Sequence, residues 1–230
     1  MRRFLAILLC LGLLGIPRAD AADAKYVAIT FDDGPSGRFT RRLLEGLEAR
    51  QVQATFLLCG YRLKIYPELA ERIFEAGHEI GLHGYSHKDM AKLSKKELIQ
   101  EIRETRALLP EGCVPTFLRP PGGSGTPLLE KVAQQENLAI LLWSVDPRDW
   151  AVHDAAAVEA AVVSQVQDGD VILMHDLSHS SVDAALAIID RLQKEGFTFV
   201  TVSQLAELRG TELTPGCTYM HFQPKKEASP

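Results

Sequence analysis

Two adjacent carboxylates, Asp32 and Asp33, end the apolar run Tyr26 to Phe31 and are followed at once by Gly34-Pro35. The run reads as a short buried β-strand, and Gly-Pro as the turn that stops it. Neighbouring carboxylates repel and successive strand residues point to opposite faces, so each aspartate needs a partner of its own. A metal ion for one and a buried cation for the other would meet that need. An isolated Asp-Asp-Gly turn is explained by conformational preference alone; other residues of the chain argue for more here. His83 and His87, four positions apart, share one face if their segment turns helically. Two neutral imidazoles and one carboxylate leave a divalent ion with an open position, the arrangement of hydrolytic zinc enzymes, and Asp33 is the natural carboxylate. Imidazole and carboxylate suit zinc, and affinity rank also admits cobalt or nickel. Asp32 is then free to act as a base towards water, with Arg119 to hold it ionised and oriented. The peptide N–H groups of Gly122 and Gly123, unobstructed by a Cβ, could help stabilise an oxyanion. His175, behind Leu173-Met174, suits a general acid, and Asp149 suits the carboxylate that keeps it protonated. Trp150 and Leu173 would supply apolar walls. His78 opens a strand and reads as structural, while His153, His179 and His221 read as surface histidines.

The elements that must position these groups alternate. Strands are expected at Tyr26 to Phe31, Ala54 to Leu58, Glu79 to Leu82, Thr116 to Leu118, Ala139 to Val145, Asp170 to Met174 and Thr198 to Val202. Between them helices are expected at Thr40 to Ala49, Glu68 to Ala76, Ser94 to Leu109, Leu128 to Gln135, Ala155 to Val166, Val182 to Lys194 and Ser203 to Leu208. Ser94-Lys95-Lys96-Glu97 fits a capping box, Asp154 can cap an alanine-rich helix, and Pro67 suits a first helical position. Strand and helix in alternation predict an α/β protein with a parallel sheet, either an open doubly wound sheet or a barrel. In either, working residues gather at the C-terminal ends of the strands. Asp32 and Asp33, His83 and His87, Arg119, Asp146 with Asp149 and Trp150, and His175 all follow such ends, which delivers them to one rim.

Of the 230 residues 46% are hydrophobic and 24% charged, which fits one globular domain and excludes a disordered or collagen-like chain. Arg2 and Arg3, the apolar run Phe4 to Ile16, Pro17 and Ala19-Asp20-Ala21 have the layout of a secretory signal peptide over residues 1–21. The run is too short to span a bilayer comfortably, so no stable membrane anchor is expected after its removal, and the product is expected to be secreted or periplasmic. Without it, 22 basic face 29 acidic side chains, a net charge of −7 with no basic stripe, which argues against nucleic-acid binding. In an oxidising compartment Cys59, Cys113 and Cys217 could form one disulfide at most. Cys59 ends an apolar strand and reads as a buried small hydrophobe, so Cys113 with Cys217 is the preferred pair. Residues 22–210 are expected as the catalytic domain, residues 211–230 as a C-terminal tail, and the protein as a monomer.

Thr30 to Pro35, His83 with His87, Arg119-Pro120-Pro121-Gly122, Asp146-Pro147-Arg148-Asp149-Trp150 and Leu173-Met174-His175 together resemble, in order, the five motifs of the carbohydrate esterase family 4 polysaccharide deacetylases. The resemblance runs over roughly residues 25–208. It implies an irregular (β/α) barrel of seven strands and a metal-dependent hydrolysis of acetyl groups, commonly N-acetyl on amino sugars of a polysaccharide such as peptidoglycan or chitin. By position it implies Asp32 as base, Asp33, His83 and His87 as metal ligands, Arg119 as partner of Asp32, His175 as acid and Asp149 as its partner, with Trp150 and Leu173 lining the acetyl pocket. Two positions depart from the pattern. Gly84 stands where a Ser or Thr hydroxyl usually steadies the metal loop, and Gly122 where an aromatic side chain is frequent. Acetyl-ester hydrolysis, as on acetylated xylan, is the alternative within hydrolases. A non-catalytic carbohydrate-binding protein of the same fold would be marked by loss of the base or the acid, and both Asp32 and His175 are present.

Overall fold

The computed structural model describes residues 24–224, so the expected signal peptide and the last six residues lie outside the described part. Strand β1 (Lys25–Asp32) leads to helix α1 (Arg38–Ala49), β2 (Thr55–Leu58), α2 (Gly60–Ile65), α3 (Pro67–Glu75), β3 (Glu79–Leu82) and α4 (Lys95–Arg106). Then follow β4 (Phe117–Leu118), α5 (Pro127–Gln135), β5 (Ala139–Leu141), α6 (Ala155–Val163), β6 (Val171–His175), α7 (His179–Lys194), β7 (Phe197–Phe199), α8 (Val202–Leu208) and β8 (Thr218–Tyr219). The three helix starts marked by a cap or a proline hold for local reasons, while α1 and α7 begin at Arg38 and His179, ahead of the expected Thr40 and Val182. Ser94 and Glu97 form a reciprocal capping box on α4, the Asp154 carboxylate accepts from Ala156 and Ala157 N–H at the head of α6, and Pro67 opens α3.

All strand pairings are parallel, in the order β6-β1-β2-β3-β4-β5-β8, with β7 alongside the first residues of β1. The curled sheet meets itself where Val145, four residues past β5, bridges Ile172 of β6, with Leu173 N–H donating to Val145 O at 2.9 Å. Between the open sheet and the barrel, this is an irregular (β/α) barrel: seven expected strands are present, and an eighth, β8, extends the edge beyond β5. β5 is shorter than the expected Ala139 to Val145 because the chain leaves the sheet after Leu141 to reach β6. The stretch after Gly210, expected as a tail, is packed down as far as Phe222, which is buried.

Alternation along the strands sorts the core. Val27, Ile29 and Phe31 pack outwards against α1 and α7, in a cluster with Leu43, Leu47 and Ile188. Residues of the other parity, Ala28 of β1, Phe117 of β4, Leu141 of β5 and Val171 of β6, pack together with Val202, Leu205 and Phe222, which plug the barrel floor. Continuing that inward register towards the C-terminal ends gives Asp32, Arg119, Leu173 and His175. The site is therefore the polar top layer of the barrel interior, above an apolar floor.

The expected Cys113–Cys217 disulfide is not formed: Cys59, Cys113 and Cys217 are free thiols. Cys113 packs against the larger core cluster, whereas Cys217 is exposed next to the edge strand β8. Cys59 is fully buried, and burial pushes its thiol pKa up, as fits a small hydrophobe. His78 is structural as expected. Its Nδ1 accepts from Ala54 N–H at 3.2 Å, its ring meets Phe56 edge-on, and burial pulls its pKa down to about 4. His153, His179 and His221 are exposed.

Candidate active site

A cavity of about 400 Å³ opens at the C-terminal ends of the strands, and eight of the ten expected site residues line it: Asp32, Asp33, His83, His87, Gly122, Trp150, Leu173 and His175. The other two, Arg119 and Asp149, are buried directly behind it. A larger cavity of about 760 Å³ lies around His78 at the start of β3, on the far side of the barrel from these groups.

Asp32 and Asp33 reach the same cavity although strand alternation would separate them. Asp33 adopts a left-handed backbone, φ 72°, which swings its side chain back to the face Asp32 already occupies. Their partners differ. Arg119 Nη1 donates to Asp32 Oδ1 at 2.6 Å and to Thr30 Oγ1 at 2.8 Å, while Nε and Nη2 donate to the carbonyls of Leu141 and Leu142 at 3.1 and 2.8 Å. This fully buried guanidinium thus ties the base candidate to the point where β5 leaves the sheet. Burial alone lowers its pKa, and Asp32 opposes that by stabilising the cation. The oxygen Asp32 Oδ2, not engaged by Arg119, lies 3.7 Å from His83 Nε2.

Around Asp33 the nitrogens converge. His83 Nε2 and His87 Nε2 lie 3.3 and 2.9 Å from Asp33 Oδ1, and the three donor atoms all stand within 4.8 Å of one another. Neither contact has hydrogen-bond geometry, so Asp33 Oδ1 is a buried oxygen without a partner. Burial disfavours ionisation of Asp33, but the two imidazoles outweigh it and hold the carboxyl well below its usual range. His83 Nδ1 bonds to the Arg119 carbonyl at 2.7 Å, which fixes the tautomer and leaves the Nε2 lone pair facing Asp33. Donors about 3.4 Å apart are what a tetrahedral ion with bonds near 2.1 Å requires. The orphaned oxygen, the Nε2 lone pair of His83 and the converging Nε2 of His87, whose proton Asp33 favours and a bound ion would displace, fit a divalent cation.

Across the cavity, His175 Nδ1 bonds to Asp149 Oδ1 at 2.8 Å, and Asp149 Oδ2 accepts from the His175 main-chain N–H at 3.0 Å. Burial would lower the His175 pKa; the Asp149 carboxylate, helped by Asp32 and Asp33, overrides it and pushes the value up to about 9. The ring is therefore held protonated with Nε2 free. Leu173 is a buried wall, whereas Trp150 is 55% exposed at the rim with the Arg148 guanidinium 5.5 Å over its ring. The N–H of Gly123 is spent on Pro120 O at 2.9 Å, so of the two peptide groups expected to meet an oxyanion only that of Gly122, on the cavity wall, is left.

Three residues escape the sequence reading. Trp143 lines the cavity and lies 2.8 Å from where a Gly123 Cβ would stand, with Arg119 5.6 Å from its ring; in the sequence it looks like one more apolar strand residue. Asp176, fully buried beside His175, accepts from the Thr40 hydroxyl while Ser36 donates to its carbonyl, which ties the turn after Asp33 to β6. Glu101 has a legible signal: Leu98, Glu101, Ile102 and Thr105 sit at helical spacing and all are buried, so a carboxylate interrupts the core-facing stripe of α4.

The sequence model of the polysaccharide deacetylase family matches residues 19–141. The chain belongs to that family. It is 36% identical over 201 residues to the peptidoglycan-N-acetylmuramic acid deacetylase PdaC of Bacillus subtilis, covering 86% of this chain and 42% of that one. Against the peptidoglycan-N-acetylglucosamine deacetylase PgdA of Listeria monocytogenes it is 34% identical over 197 residues, covering 85% and 41%. The chain thus spans about two fifths of the length of these curated relatives. Among solved structures, a family 4 acetyl xylan esterase from Clostridium thermocellum in complex with a cobalt ion superposes with a TM-score of 0.80 at 33% identity, covering 86% of this chain and 98% of that one.

Proposed function

We propose that this protein is a metal-dependent deacetylase that removes N-acetyl groups from an amino-sugar polysaccharide of the peptidoglycan or chitin type, outside the cytoplasm. The observation that carries the reading is the meeting, at one 400 Å³ cavity, of an orphaned Asp33–His83–His87 donor set with two buried charge pairs of opposite use. In the Asp32–Arg119 pair the cavity-facing member is an anion; in the His175–Asp149 pair it is a cation. Separate acid and base of this kind, set by environment, suit hydrolysis of an amide.

Asp33 Oδ1, His83 Nε2 and His87 Nε2 would hold the ion. When bound, a divalent ion supplies Lewis acidity that lowers the pKa of water and polarises an acyl oxygen, and zinc suits the donors, with cobalt or nickel as alternatives. Asp32 Oδ2 takes the proton of the attacking water while Arg119 holds Oδ1. The Gly122 N–H faces the oxygen that gains charge. His175 Nε2 hands its proton to the departing amine nitrogen and Asp149 stabilises the imidazolium until then. Leu173, Trp143 and Trp150 form the apolar wall for the acetyl methyl and the flat face against which a sugar ring can rest.

The similarity to an acetyl xylan esterase supports a second reading, hydrolysis of an acetyl ester, in which protonation of the leaving group matters less. Acetate release from peptidoglycan, N-acetylated chitin oligosaccharides and acetylated xylan, measured side by side with and without a chelator, tests both. Loss of activity with chelator and its return with added zinc or cobalt are expected. A chelator-resistant activity overturns the mechanism.

A further inference from the structure

The loop that carries both histidines is held by groups outside the donor set. His83 N–H is bonded to Leu58 O at 2.9 Å as an extension of β3 pairing, but after it the chain leaves the sheet in an unusual path, with φ 75° at Gly84 and φ 58° at His87. A left-handed β-carbon-bearing residue such as His87 persists only if its surroundings impose it. On one side, the first N–H groups of α2, those of Gly60 and Tyr61, donate to the carbonyls of Gly84 and Tyr85 at 3.0 and 2.9 Å. On the other side stands a single side chain. Glu101 Oε2 accepts from Tyr85 N–H at 2.6 Å and from Ser86 N–H at 2.8 Å, and Oε1 accepts from the Ser86 hydroxyl at 2.5 Å.

Glu101 reaches in from the core-facing stripe of α4 and is only 9% exposed. A carboxylate in that stripe displaces an apolar side chain and must be desolvated, so it is tolerated because these donors satisfy it. The approach leaves little room for a side chain at residue 84, and φ 75° there strains any residue but glycine. A Cβ there would stand 3.2 Å from Glu101 Oε2 and 2.7 Å from Met90 Cε. Gly84, which at first sight removes a hydroxyl from the metal loop, gives the loop its left-handed turn beside this carboxylate without a β-carbon to strain.

We propose that Glu101 is the positioning residue of the metal loop: by gathering the Tyr85 and Ser86 N–H groups it sets where His83 and His87 present Nε2 to Asp33. It touches neither ion nor substrate. The inference rests on the reading of Asp33, His83 and His87 as ligands, and its effect is on metal affinity. Outer partners that orient ligands are worth about 10- to 100-fold in affinity. Glutamine can keep the arrangement, with its amide oxygen accepting both N–H groups and its NH₂ donating to Ser86 Oγ, whereas aspartate falls one methylene short.

The test is the zinc dissociation constant of the full chain and its variants, by competition with a chromophoric chelator, beside the thermal midpoint of each metal-free protein. We expect E101A and E101D to bind zinc about 10- to 100-fold more weakly than the wild type and E101Q within about threefold of it. If E101A does not fold, E101D decides. Wild-type protein that takes up no zinc overturns the ligand reading itself. If the wild type binds, the inference alone is overturned by an E101D constant within twofold of wild type, or by E101Q weakening as much as E101D. A fall in thermal midpoint with an unchanged zinc constant likewise reduces Glu101 to a structural residue.

Discussion

Replacing Asp149 by asparagine tests the acid side of the site most directly. The carboxylate makes two contacts with His175, at Nδ1 and at the main-chain N–H, and it is the main group raising that imidazole's pKa to about 9 against the opposing effect of burial. Removing the charge leaves burial in place and returns the ring to its ordinary 6.5 or below, a change of roughly 3.4 kcal/mol at 1.36 kcal/mol per pH unit. At pH 7.5 a group with a pKa of about 9 is ~97% protonated, and one at 6.5 only ~9%, so kcat/KM for an N-acetyl substrate should drop about tenfold from protonation alone. A bound cation cancels the share of the shift owed to Asp32 and Asp33, so the alkaline limb of the loaded wild type falls somewhat below the metal-free value. The expected signature is a pH profile of kcat/KM whose alkaline limb moves to lower pH in Asp149→Asn while the deficit narrows below pH 6. A variant slower by a constant factor at every pH, with the limb unmoved, would refute the argument and leave Asp149 a purely orienting group.

Other outcomes follow from the same geometry. Asp32→Asn should keep its metal while losing about 10²- to 10⁴-fold in acetate release; Asp33→Asn should lose metal and regain part of its activity in excess zinc, and metal analysis of the two purified variants separates the roles. Arg119→Met should destabilise the fold by about 3–5 kcal/mol in urea unfolding, because it leaves the buried Asp32 carboxylate unpaired. Gly84→Ser should lower the thermal midpoint, since it puts a side chain at φ 75° and against Met90 Cε, at a backbone cost of about 1–2 kcal/mol before any clash. The raised His175 pKa also stabilises the metal-free fold: that contribution is complete below pH 6.5 and lost as pH rises through about 9, so the metal-free midpoint should fall across this window, and less so in Asp149→Asn.

Much of this protein is written locally. β3 runs over Glu79–Leu82 as its apolar pattern and flanking glycine dictate, and α4, α6 and α3 begin at Ser94, Asp154 and Pro67 because capping is chemistry between residues two or three apart. The five motifs could be read in order, and with them eight cavity-lining residues and the two buried behind them, because parallel strands bring their C-terminal ends to one rim whatever else the chain does. What the sequence leaves open depends on partners far along the chain. β5 stops at Leu141 because Arg119 takes the Leu141 and Leu142 carbonyls and Val145 is drawn to β6; its apolar run alone would have continued to Val145. β8 exists only because Thr218 and Tyr219 meet the open edge of β5, and α2, six residues long, is too short to announce itself by periodicity. Asp33 joins Asp32 at one cavity through a left-handed backbone that strand alternation argues against. Trp143 is placed at the site by loop packing that no local pattern spans, and Glu101, visible as a carboxylate in the buried stripe of α4, finds its Tyr85 and Ser86 partners only through tertiary packing. Residue types and their spacing determined which chemistry this chain can carry, whereas which carboxylate oxygen, ring nitrogen or peptide N–H is free to perform it was decided only when distant segments claimed the others.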